Sequence, residues 1–324
     1  MPRRPTLEDL LSRLSELRHE PDAATVRREI EKSLRHRSPH LAAKAAKLAA
    51  ELGLEDLTDA LTTAFDRFMV DPASTDKGCV AKTAIARALV DLEAPAEDVF
   101  LRGVRHRQPE PSWGGPVDTA VTLRGTCAEG LLVARHPDLG LELTELLVDP
   151  EPNARLAAAR VLAASGRPEA EPLLRLVAHH GDPESEVTSE ALAGLLTLAP
   201  RRSLPFVERF LSREDPVVVE AAALALGESR LEEAVPLLEK RYAGCDEYRL
   251  QQTLLICISM LRRGPGFDFL LSLVKTAKPG RATHALVALA LHRDDESLRE
   301  QVETALASRE DDPELRSVFA QEFR

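Results

Sequence analysis

An Asp-Pro dipeptide recurs at Asp149, Asp182 and Asp215, at intervals of 33 and 33 residues. Each opens an Ala- and Leu-rich segment: DPEPNARLAAARVLAASG, DPESEVTSEALAGLLTLA and DPVVVEAAALALGES. A period of that size predicts an array of like units, none of which can hide its apolar face alone. The phase continues less tidily at Asp246, Pro279 and Asp312, and upstream at Ser38 (SPHLAAKAAKLAAELG) and Asp76 (DKGCVAKTAIARALVDL). Asp at a helix start accepts a bond from an orphan first-turn N–H. Pro at the first helical position loses nothing, because its N–H would be unbonded there anyway.

Second amphipathic segments lie between these units: LGLELTELLV, EAEPLLRLVAHH, SLPFVERFLS, EAVPLLEKRY and FDFLLSLVKT. Three carry a proline at matched phase, Pro172, Pro205 and Pro236, expected in the first turn. Each repeat therefore reads as helix A, a tight turn, then helix B. Aromatic residues make up only 4% of the chain. The core must be built from Leu, Ala and Val, which suits closely packed helices and disfavours a β-sandwich or barrel.

The period, the Asp-Pro turn and the Ala-rich second helix resemble HEAT repeats, particularly the short bacterial type also found in phycobilin lyases. The resemblance covers nearly the whole chain and is most specific over residues 137–243. It implies an all-α, right-handed α-solenoid of about nine HEAT-like helical hairpins with an N-terminal capping helix. The expected organisation is a single array over 1–324, with a cap in 1–20, first repeats in 21–107, an inserted loop at 108–116 and the remaining repeats in 117–324. In HEAT repeats a turn Asp and a basic residue six positions later often form a ladder between units. Asp76/Lys82 and Asp149/Arg155 fit that pattern, and Ser38/Lys44 keeps its basic half. Asp182/Thr188 and Asp215/Ala221 depart from it, so any ladder should be broken in the C-terminal half. The alternative reading is surface charges worth less than about 1 kcal/mol each.

Charge and motifs narrow the function. The net charge is −11, and residues 121–324 hold 24 Lys+Arg against 33 Asp+Glu. Phosphate neutralisation drives nucleic-acid affinity, so an acidic chain argues against that role. No apolar run approaches the roughly 20 residues of a membrane span, and the start MPRRPTLEDLL lacks a signal-peptide core. The expected location is cytoplasmic. Cys79, Cys127, Cys245 and Cys257 show no CxxC spacing and read as reduced structural thiols. No GxSxG and no Gly-rich phosphate loop occurs. Asp294/Asp295 and Asp311/Asp312 flank expected helix ends and read as first-turn or solvated carboxylates. His36 and His40 are separated by Pro39 at a turn, and His179/His180 are adjacent, so neither pair suits a metal. Iron hydroxylases built from HEAT-like repeats use recurrent His-Glu pairs, whereas this chain has only His19-Glu20. No cofactor, catalytic residue or metal ligand is expected.

The rhythm breaks once, in RHRQPEPSWGGPVDTA from Arg105 to Ala120, which holds the only tryptophan. Helix A of the third pair is expected to run from about Ala96 to Arg107 and helix B from Val117 to about Arg135. Gln108 to Pro116 then occupies the turn between them. Insertions in a solenoid emerge from one face and often carry binding function. Two readings of Trp113 follow. In the favoured one it folds back to plug a gap between the second and third pairs; in the other it anchors a partner, as tryptophan does at interface hot spots. The candidate partner-binding residues are Trp113, Arg105, Arg107, Tyr242 and Tyr248. The leading function is a non-catalytic protein-interaction scaffold gripping a basic or mixed-charge partner on the concave helix-B surface. A lyase acting on a protein-bound chromophore or other modified protein is the alternative, and nucleic-acid binding trails both.

Overall fold

The structure, a computed structural model, describes residues 5–309 and 312–324. Asp311 and the first four residues of the expected cap therefore lie outside the described residues. The chain divides into two compact units, Met1–Ser165 and Gly166–Arg324, each described by itself.

The first unit begins with a capping helix α1 (Leu7–Glu16), started by Thr6 and Asp9 in a reciprocal capping box. Four helical hairpins follow. They pair α2 (Ala23–Leu34) with α3 (Pro39–Glu51), and α4 (Thr58–Met69) with α6 (Val80–Asp91) after a single-turn α5 (Pro72–Thr75). They go on to pair α7 (Glu97–Val104) with α8 (Val121–Val133), and α9 (Leu139–Leu147) with α10 (Pro152–Ser165). The second unit holds five more: α11 (Ala170–His180) with α12 (Ser185–Leu198), α13 (Pro200–Leu211) with α14 (Pro216–Ser229), and α15 (Ala234–Ala243) with α16 (Tyr248–Met260). The last two pair α17 (Gly264–Thr276) with α18 (Pro279–Leu289), and α19 (Glu296–Ala307) with α20 (Pro313–Glu322). Among the described residues these are a cap and four hairpins in the first unit and five hairpins in the second, an all-α solenoid fold.

Within each unit the second helices stack side by side, α3–α6–α8–α10 in the first and α12–α14–α16–α18–α20 in the second. Alanine makes this stacking possible. Ala42, Ala45, Ala46, Ala81, Ala158, Ala222 and Ala223 are all buried, and their small side chains let backbones approach. The closest approach of one helix backbone to another at a glycine is at Gly227, where an added Cβ would lie 2.9 Å from the Cys257 carbonyl oxygen.

The repeat junctions vary more than the sequence pattern suggests. Asp215 caps α14 as expected, accepting from Val217 N–H with Pro216 at the first position. Asp149 and Asp182 likewise accept from the N–H two residues on, Glu151 and Glu184, but their helices start later, at Pro152 and Ser185. Pro205 is not in a first turn either: α13 begins at Pro200 and carries Pro205 in its interior. Basic side chains also tie neighbouring helices by donating to backbone carbonyls. Arg67 donates to Leu34 O at 2.7 Å, Arg263 to Arg230 O at 2.8 Å and Lys44 to Leu11 O at 2.8 Å.

Candidate functional site

Between α7 and α8 the chain leaves the helical rhythm as a small antiparallel ribbon. Strands β1 (Pro109–Glu110) and β2 (Val117–Asp118) pair Pro109 with Asp118 and Glu110 with Val117. The tip turns through Ser112–Gly115, closed by Gly115 N–H to Ser112 O at 3.2 Å. Gly115 takes φ +116° there, which a side chain would strain. Trp113 stands at the first inner position of the turn and is fully exposed (102%). This overturns the plug reading: the indole fills no gap between hairpins.

The base of the ribbon is the opposite of its tip. Gln108 and Glu110 are buried, and they hold the ribbon to the preceding repeat. Gln108 Nε2 donates to Asp76 O at 2.9 Å and to Glu110 Oε1 at 2.7 Å. Glu110 Oε1 also accepts from Gly78 N–H at 2.7 Å and from the Thr119 hydroxyl at 2.9 Å. Burial alone pulls the Glu110 carboxyl up. The Gln108, Gly78 and Thr119 hydrogen bonds outweigh it, so the value lies below the ordinary carboxylate range.

Asp118 and Arg124 continue the network into the next repeat. Asp118 Oδ1 accepts from the N–H groups of Gln108 and Ala120, both at 3.0 Å, and Oδ2 accepts from Arg124 Nη1 at 2.6 Å. Burial raises the Asp118 carboxyl, but those N–H groups and Arg124 bring it below its usual value. Arg124 is wholly buried in the first turn of α8. It donates to His106 O at 3.0 Å and to Asp149 Oδ1 at 3.0 Å, with its Nε 2.9 Å from Asp149 Oδ2. His106, half-buried and 3.2 Å from Gln108 Oε1, is pushed below its ordinary value, chiefly by burial.

The expected ladder residues fall inside this network, in altered partnerships. Asp76 and Lys82 form a fully buried pair at 3.0 Å, and Asp76 also accepts from the N–H groups of Ala81 and Lys82. The surface-charge reading fails here, since the buried pair is cut off from solvent screening. Removing one partner of such a pair costs about 3–5 kcal/mol. Asp149 gives its carboxylate to Arg124 and to Arg107, 2.7 Å away. Arg155 donates to the carbonyls of Asp149 and Pro150 at 2.8 and 3.0 Å. In the second unit neutral groups do similar work: Ser189 donates to Ala221 O at 3.2 Å, Ser259 to Ala288 O at 2.6 Å, and Gln251 to Cys245 O.

The remaining candidates separate. Arg105 grips Glu142 through two nitrogens and Arg107 holds Asp149, so both brace the root of the ribbon. Tyr242 is a correction: it is only 4% exposed, edge-on to Phe269 at 5.8 Å, and presents no ring to a partner. Tyr248 is exposed (63%) and rests against His284 with ring centroids 4.2 Å apart. Sequence reasoning missed Gln108, Glu110, Asp118 and Arg124. Arg124 had left a trace, as a lone cation inside VTLRGTCAEGLLV.

Among the described residues no group of three or more His, Cys, Asp and Glu could hold a metal. All four cysteines are free and buried; burial pushes the Cys79 thiol up to about 11 and raises Cys127 and Cys257 as well. No helix among the described residues is long and apolar enough to cross a membrane.

With this geometry in place, comparison with known proteins gives a class. Residues 175–259 match the family model described as HEAT repeats, so that stretch carries HEAT repeats. Several solved structures are similar to it. The complex of CpcE and CpcF of phycocyanin lyase from Nostoc sp. is 18% identical, covering 75% of this chain and 89% of that one, with a TM-score of 0.36. YibA of Escherichia coli is 13% identical over 94% of this chain and 99% of its own, with a TM-score of 0.46. Human deoxyhypusine hydroxylase is 17% identical over 81% and 92%, with a TM-score of 0.31. No curated protein matches the sequence.

Proposed function

We propose that this chain is a non-catalytic protein-interaction module and that Trp113 is the side chain its partner takes up. A single observation carries the reading: a fully exposed indole sits on a ribbon whose base is buried and hydrogen-bonded on both sides. Backbone already fixed at the base of the ribbon lowers the ordering entropy lost on binding, and tryptophan is enriched among residues that dominate interface energy. Burying about 200 Å² of ring at about 25 cal/mol per Å² provides roughly 5 kcal/mol before association costs. The second helices of the hairpins offer further surface, where Val217 and Leu224 of α14 stand exposed. A basic or mixed-charge partner suits the net charge of −11, and steering of that kind weakens as salt rises.

The test is affinity capture from the source cell with wild type and Trp113→Ala, followed by direct titration of any captured protein. The reading expects a partner whose affinity falls about 30-fold or more in the variant, equivalent to about 2 kcal/mol. Equal affinity for both proteins would remove Trp113 from the interface.

A further inference from the structure

Every second helix from α3 to α18 repeats one local pattern: two buried residues, one at least partly open to solvent, then two more buried. It reads Ala45-Ala46, Lys47, Leu48-Ala49 in α3 and Leu254-Leu255, Ile256, Cys257-Ile258 in α16. Helical geometry turns the middle residue away from the core that its neighbours face. What fills that position differs between the two units. In the first it is Lys47, Arg87, Glu129 and Arg160, and Arg87 pairs with Glu129 at 2.6 Å. In the second it is Ala193, Leu224, Ile256 and Val287, at intervals of 31, 32 and 31 residues. Packing does not demand an apolar residue there, since the first unit stacks its second helices with charges in the same position.

The four apolar residues form a stripe. α12, α14, α16 and α18 stack in that order, and contacts of Ser189 with Ala221, Gly227 with Cys257 and Ser259 with Ala288 keep them in near register. Leu224 is 36% exposed and the other three are half-buried. One turn further on, Met260 follows Ile256 and Leu291 follows Val287, which widens the stripe over α16 and α18. On α14 acids take the flanking places: Glu220 one turn before Leu224 and Glu228 one turn after. Burial raises the Cys257 thiol of α16, and the Glu228 and Glu220 carboxylates raise it further, so both lie near the seam between α14 and α16. Two turns before the stripe the signs balance, with Glu186 on α12 and Arg249 on α16.

We propose that the stripe docks a basic amphipathic helix of the partner, its apolar face on Leu224, Ile256 and Val287 and cations on its two flanks against Glu220 and Glu228. Packed helices lie about 8–10 Å apart, and a helix advances about 10.5 Å in seven residues, after which the same face returns. Apolar residues of the partner should therefore recur at i, i+7 and i+14, over about 20 residues from α12 to α18. An extended strand fits poorly, because three residues at about 3.3 Å span one gap but put successive contacts on opposite faces. The same acids repel an anionic membrane surface. The proposal rests on the interaction reading and names the chemistry of its partner, yet it uses no residue of the ribbon. Trp113→Ala should leave it intact, so either proposal can fail alone.

The experiment is fluorescence anisotropy on the full chain with labelled synthetic peptides of about 20 residues. One carries Leu on one helical face and Lys on its flanks; a second has the same composition scrambled so that no face forms; a third replaces each Lys by Glu. The first should bind at least about tenfold tighter than either of the others. Its binding should fall about tenfold with Leu224→Ser/Ile256→Ser and with Glu220→Lys/Glu228→Lys, and stay unchanged with Trp113→Ala. Thermal melts check that the variants fold, and the comparison of peptides on the wild-type chain needs no variant. Equal binding of the scrambled peptide would reduce the effect to bulk charge and overturn the proposal. Binding retained by Leu224→Ser/Ile256→Ser, or no binding by any peptide, would do the same. So would a wild-type dimer that Leu224→Ser/Ile256→Ser abolishes, which would give the stripe to a second copy of this chain.

Discussion

At the scale of single residues, exposure and burial divide the third repeat into two kinds of side chain. Trp113 touches no core, so Trp113→Ala should shift unfolding free energy by no more than about 0.5 kcal/mol, measured by chemical denaturation, while weakening partner binding. Asp76 and Lys82 are the reverse. Lys82→Met leaves a buried carboxylate without its cation and should cost about 3–5 kcal/mol, a large share of the roughly 5–15 kcal/mol that holds a domain together. Acid should act on the same region. Glu110 and Asp118 have folded values below the ordinary 4.5 and 3.8, so the unfolded chain binds their protons first. Their contribution is complete above those ordinary values and is lost as pH falls through the lower folded ones. His106 is also depressed below 6.5, so its neutral burial adds stability above that pH that declines as pH falls. Amide exchange over residues 108–119 should accelerate as pH drops below about 4, after correction for intrinsic rates. Exchange that stays protected there would place the ribbon's stability elsewhere.

At the scale of elements, the helices were legible because their signals are local and repeated. Alternating apolar phases and Ala runs mark α10, α12 and α14 directly, and nine hairpins follow from the period. The junctions were less legible. Asp149 looks like a cap in sequence, yet its carboxylate belongs to Arg124, 25 residues away, and no local pattern encodes that pairing. Trp113 is illegible for a related reason: the Gly114-Gly115 pair permits a reversal in either reading and does not encode that the indole stands in solvent. Close helix contacts give a further test. An added Cβ at Gly130 would meet the Phe100 ring at 2.4 Å, and at Gly227 the Cys257 backbone at 2.9 Å. Gly130→Ala and Gly227→Ala should each cost about 1–3 kcal/mol. The Gly227 variant should be the harder to relieve, because backbone cannot rotate aside as a ring can. Thermal melts of the two variants check both the size and the order.

At the scale of the whole molecule, composition carried the architecture but not the placement of charge. A chain with 4% aromatics and a 33-residue period is an all-α array. Its net charge of −11 says nothing of the buried Asp76–Lys82 and Arg124–Asp149 pairs. Those depend on which repeats meet, which period alone does not reveal. The central claim is that the one break in the array presents its tryptophan to solvent on a fixed base. Because Trp113 is the sole tryptophan, intrinsic fluorescence reports on it without interference. The measurement is steady-state emission with acrylamide quenching on the free protein. The account predicts water-like, red-shifted emission, quenched nearly as freely as a tryptophan peptide, with slow tumbling in anisotropy decay because the ribbon is held. Blue-shifted emission protected from acrylamide would put Trp113 in the core and contradict the account.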